Sequence, residues 1–73
     1  MGMKVTVKAK FNASKEIIEK FGNNKYLMYL PFAEDHEANF AIVVMLSRHM
    51  GVPPSKIKYV GLDVHKDRIF EVL

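Results

Sequence analysis

Asp63, His65 and Asp67 alternate along the chain, so in an extended loop their side chains would share one side, and His36 is a further imidazole that could join them. Nitrogen and carboxylate ligands of this kind suit zinc, and the same groups suit proton transfer. A working site also needs converging geometry and outer partners that orient the ligands, and a bare motif supplies neither. Aspartate and histidine in a surface loop are ordinarily just solvated. No catalytic residue, cofactor or metal is therefore assigned, and no enzyme activity is expected. His49 falls on the apolar face of a predicted helix near its C-terminus, where the helix dipole favours it; no oriented partner for catalysis is evident. Ser14, Ser47 and Ser55 sit in none of the nucleophile motifs, and four scattered glycines make no phosphate cradle. Met1-Gly2 with Thr6 fits a loose N-myristoylation pattern, but Thr6 belongs to the first predicted strand. The absence of cysteine excludes disulfide and thiol chemistry.

The second group of residues is cationic. Lys4, Lys8 and Lys10 share one side of the first predicted strand, Lys56 and Lys58 share a side of the fourth, and Tyr29 could join them. Lys66 and Arg68 extend the group through a loop. Phosphates attract lysines, and unpaired bases stack on exposed rings, so RNA or DNA is the partner this pattern suggests. Eleven Lys/Arg against eight Asp/Glu give a net charge of +3, with six lysines in residues 1–25 facing only Glu16 and Glu19. The excess is small for a nucleic-acid binder, and an ordinary solvated face, where lysines also protect sheet edges, is the weightier competing reading.

The third group is apolar. At 100° per residue, Phe40 and Val44 lie opposite the core stripe of the helix, with Val43 on the edge of the patch. Burying a Phe or Val side chain contributes roughly 1.5–3 kcal/mol, so exposing them needs an offset. A homodimer interface through Phe40, Val43 and Val44 is one; cover by the loop at 31–34 or by the chain end is the other.

The elements that must position these groups follow from periodicity. Residues 4–11 alternate as a half-buried strand. Residues 16–21 suit either a short helix capped by Ser14 or a strand. Gly22-Asn23-Asn24 is turn chemistry, and a hairpin leads into a strand over 25–30. Asp35 is the expected N-cap of a helix over 36–50, with Ala38, Ala41, Ile42, Met45, Leu46 and His49 on one face, and Gly51 with Pro53-Pro54 stops it. Strands over 57–60 and 68–72 follow, with a loop from Gly61. The expected fold is one α+β domain over residues 1–73: a two-layer sandwich of a small antiparallel-rich (mixed) sheet of four to five strands with one main helix on one face, in the order β-β-β-α-β-β. Its expected core is Val5, Val7, Ile18, Leu27, Ile42, Met45, Leu46, Ile57 and Ile69. A chain of 73 residues, 49% apolar, buries only roughly 60% of its unfolded surface. No apolar run is long enough to span a bilayer and no leader is evident, so a cytoplasmic protein without a membrane partner is expected.

Several segments also carry a resemblance. Val5-Thr6-Val7-Lys8-Ala9-Lys10, Asn12-Ala13-Ser14-Lys15, Ala38-Asn39, Gly51-Val52-Pro53-Pro54-Ser55-Lys56-Ile57 and Tyr59-Val60-Gly61, in that order and spacing, resemble the YggU-like family of small conserved proteins of unassigned function. The resemblance covers nearly the whole chain, and it rests on the order of the segments rather than on any one of them. It implies a two-layer α/β sandwich with helices on one face, and a strand over 16–21. The chain departs from the family at His36, where relatives usually carry Gly, and after Gly61, where Leu62-Asp63-Val64-His65-Lys66-Asp67-Arg68 keeps only the basic character of a Ser-Arg pair followed by Lys. Relatives often add a second helix after the last strand, so the sheet area it would cover needs another roof, which a second protomer could supply. The expected function is that of an uncharacterised, non-enzymatic binding module, nucleic-acid-associated through a basic sheet face and loop, with self-association through the helix patch as the alternative.

Overall fold

The computed structural model describes residues 2–73. Five strands form one mixed sheet: β1 (Met3–Lys10), β2 (Ile17–Gly22), β3 (Lys25–Tyr29), β4 (Ile57–Leu62) and β5 (Arg68–Val72). The helix α1 (Ala38–Met50) lies between β3 and β4 in sequence. The strand order is β2-β3-β1-β5-β4; β1 and β3 run parallel and every other pair antiparallel. This is the α+β architecture that the sequence pattern predicts, with the helix on one face.

The alternation of β1 places Val5 and Val7, both fully buried, toward the helix and its lysines away from it. Residues 17–22 are strand, closing a hairpin with β3 through a turn in which Asn24 has φ 57°. Asparagine tolerates that left-handed conformation better than most side chains.

Two expected core residues are on the wrong side. Leu27 stands beside Lys8 and Ile69 beside Thr6, on the face away from α1. Their neighbours Tyr26, Met28 and Phe70 point into the core instead, packed with Val5, Val7, Leu30, Ile42 and Leu46. The reason is physical: β3 and β5 carry large apolar side chains on both faces, but Lys25 shares the face of Leu27 and Glu71 that of Ile69, and the register against β1 turns those charged faces outward. Ile18 packs at the margin of the core.

The helix starts two residues later than expected. Asp35 accepts the backbone N–H of Glu37 on its Oδ1 at 2.9 Å and that of Ala38 on its carbonyl, closing a turn ahead of the helix rather than capping it. Gly51 ends the helix at φ 72°, donating to the Ser47 carbonyl, as glycine's freedom at that position allows. Pro54–Lys56 then form a 3-10 turn, so Lys56 precedes β4 and is not part of it. β4 also runs past the expected stop: Gly61, at φ 151°, lies inside it at a bulge, and the loop covers residues 63–67.

Candidate nucleic-acid interface

The face of the sheet turned away from α1 is lined along β1 by Lys4, Thr6, Lys8 and Lys10. Register extends it: Lys25, Leu27 and Tyr29 stand beside Thr6, Lys8 and Lys10 on β3, with Glu19 and Ile17 next on β2. On the other flank Glu71 and Ile69 stand beside Lys4 and Thr6, and Lys58 of β4 lies beside Glu71. Five lysines therefore share an open face with Glu19 and Glu71, around half-buried Leu27, Tyr29 and Ile69. Of the residues expected here, Lys4, Lys8, Lys10, Tyr29 and Lys58 are brought together. Lys25 and Phe21 also reach this face and are missing from the expected set, although Lys25 opens the strand expected over 25–30 and Phe21 ends the segment 16–21 for which a strand is one of the two readings.

Three expected residues stand apart. Lys56 is in the 3-10 turn, and Lys66 is in the β4–β5 loop at φ 64°. Arg68 is on the opposite face, beside Val7. Its Nε donates to Asn39 Oδ1 at 2.7 Å, its terminal nitrogen pairs with Glu34, and its guanidinium lies 5.2 Å from the centre of the Phe11 ring. With its side chain only 13% exposed, it ties sheet to helix and is no part of the open face.

A trough of about 300 Å³ crosses the open face, lined by Thr6, Lys8, Phe21, Lys25, Asp63, His65 and Asp67. One wall is Phe21, which follows Ile17 and Glu19 on this face of β2 and sits at the bulge between Lys20 and Gly22. The other is the β4–β5 loop. There Asp63 Oδ1 accepts the backbone N–H groups of His65 and Asp67 at 2.8 and 2.9 Å, and the Asp63 carbonyl accepts that of Lys66. The Asp67 N–H is the largest of the influences that lower the Asp63 pKa; the His65 N–H and the nearby His65 and Lys8 charges add to it against a desolvation that raises it. Asp63 is thus a loop fastener. Among the described residues no three His, Asp or Glu side chains gather as metal ligands, and His36 lies outside the trough lining.

On the helix side, His49 meets Tyr26 edge-on at 5.4 Å and, with Glu16, Ile18, Met45 and Arg48, borders a second cleft of about 230 Å³. The expected apolar patch is smaller than its sequence suggests. Phe40 is 70% exposed and Val44 half-buried, but Val43 packs against the core. No described helix is long and apolar enough to cross a membrane.

Fold and surface together define a small α+β module with one uncovered, lysine-rich sheet face. No protein-family model matches the chain, and no solved structure matches it.

Proposed function

We propose that this chain is a non-enzymatic binding module, YggU-like in its sequence segments, that holds single-stranded nucleic acid on its open sheet face. The observation that carries the reading is the coincidence of Lys4, Lys8, Lys10, Lys25 and Lys58 with Tyr29 on one uncovered surface. Lysines draw a phosphate backbone by releasing its counterions. A flat sheet bearing an accessible ring receives unpaired bases, which a duplex keeps stacked inside. The test is fluorescence anisotropy with unstructured RNA and DNA oligonucleotides over a salt series. Affinity should fall steeply with salt; binding that ignores salt, or is absent at low ionic strength, overturns the reading.

Self-association is the second reading, favoured by the exposure of Phe40. It expects a dimer in sedimentation that Phe40→Glu converts to monomer, and a wild-type monomer at high concentration removes it.

A further inference from the structure

Asp67 carries a carboxylate without hydrogen-bond donors. Its side chain is 15% exposed, and Lys8 Nζ stands 3.8 Å from its Oδ2, too far for a hydrogen bond. Its backbone is tied to Asp63 in both directions, the N–H donating to Asp63 Oδ1 and the carbonyl accepting the Asp63 N–H, each at 2.9 Å; among the described residues no hydrogen-bond donor reaches the carboxylate, and Asp67 lines the trough. Among the described residues no side-chain oxygen is both buried and unpartnered, so the Asp67 carboxylate keeps contact with solvent and stays open to donors that a bound molecule brings. Thr6, Lys8, Lys25, Asp63 and His65 share the trough lining with it, and Phe21, 52% exposed, forms the far wall.

We infer that the trough takes one guanine nucleotide of a single strand, guanine donating N1–H and N2–H to Asp67, its ring against Phe21, and the flanking phosphates on Lys8 and Lys25. This deepens the binding reading above and rests on it. The choice of base follows from the acceptor. An ionised carboxylate can only accept, and it pairs best with two parallel donors. Guanine presents two adjacent donors on its Watson–Crick edge. Adenine and cytosine present one amino group beside a ring nitrogen whose lone pair would face the carboxylate, and uracil presents one N–H between two carbonyls. An arginine side chain also offers paired donors; within the trough Lys8 and Lys25 balance Asp63 and Asp67, and it is the further lysines of the face, Lys4, Lys10 and Lys58, that favour a phosphate-bearing strand. The trough lies at the small end of ligand-pocket volumes, which suits one base rather than a stacked run.

The test compares unstructured oligouridines carrying one central guanine, inosine or adenine, together with plain oligouridine, GMP and a short arginine peptide. The guanine oligomer should bind roughly tenfold tighter than the adenine one, and inosine, which lacks the N2 amino group, should lose much of that gain with the protein unaltered. Asp67→Asn, which keeps the backbone N–H to Asp63, should abolish the guanine preference while oligouridine affinity is retained. Phe21→Ala should weaken the guanine oligomer roughly tenfold. Equal, salt-sensitive binding of all oligomers overturns the guanine pocket and leaves the open-face reading standing. GMP binding with no added affinity from the oligomer overturns the strand and identifies a free-nucleotide site. Failure of every nucleotide overturns both readings, as does preference for the arginine peptide.

Discussion

Arg68 on β5 and Asn39 in the first turn of α1 are joined by a 2.7 Å hydrogen bond that crosses from one layer of the fold to the other. The same guanidinium reaches Glu34 and covers Phe11, so one side chain holds strand, helix and loop together. A hydrogen bond to a charged group contributes about 1.5–3 kcal/mol. Arg68→Ala should therefore lower stability by about 2 kcal/mol in urea unfolding, yet leave the salt dependence of nucleic-acid binding unchanged. An unaltered urea midpoint together with weakened binding would return Arg68 to the interface.

The open-face lysines should behave in the opposite way. For single strands, each phosphate contact contributes about 0.7 to the slope of log affinity against log salt. Lys8→Ala and Lys10→Ala should each reduce the slope by up to that amount, with little change in unfolding. Lys56→Ala, in the 3-10 turn, should leave it as it is. Equal slopes for all three variants would refute the assignment of the face.

Leu27 and Met28 are adjacent, but they point to opposite sides of the sheet. Met28 is fully buried and Leu27 half-buried. Met28→Ala should cost about 2–5 kcal/mol, as large-to-small core changes do. A chain of this size has only ~3–5 kcal/mol to lose, so that variant should be largely unfolded at ambient temperature. Leu27→Ala should fold. Circular dichroism melts of the two proteins separate these outcomes, and the reverse order would mean that the strand faces are exchanged.

Asp63 makes the β4–β5 loop sensitive to acid. Its folded-state pKa is lowered, chiefly by the Asp67 backbone N–H. A depressed carboxylate stabilises the fold fully above its unfolded value of ~4, and the contribution disappears as pH falls through the lower folded value. Asp63→Asn, which does not titrate, should be less stable than the wild type at neutral pH, and the gap should close in acid below ~4. Urea midpoints of both proteins across that window measure it; a gap independent of pH would remove the charge from the account.

What the sequence made legible follows where one periodicity was unopposed. β1 alternates cleanly, and its inward valines and outward lysines lie as their spacing implies. The glycine stop of α1 is also as read. Of its expected stripe, Ala38, Ile42, Met45 and Leu46 are buried, whereas Ala41 is half-buried, His49 is exposed and Ser47 is buried outside the stripe. Legibility failed where the local signal was slight or a contact distant in sequence decided the matter. The register against β1 puts Met28 and Phe70 inside rather than Leu27 and Ile69, a choice for which Lys25 and Glu71 on the outer faces are the local signal. Only the Asn39 contact shows that Arg68 is turned away from the other cations. The trough joins two hairpins that are far apart in the chain, so no local pattern announces it. Asp63, His65 and Asp67 stand out as a group in the sequence, but their alternation does not reveal that Asp63 fastens the loop by accepting the backbone N–H groups of the other two.

The central place of β1 has a kinetic consequence. It is flanked by β3 and β5, and Val5 faces Phe70 from nearly the other end of the chain. Closing so wide a loop must precede the burial that rewards it, which slows folding. On the ribosome, β1 would emerge early and wait, one edge unpaired, until synthesis has passed Val72.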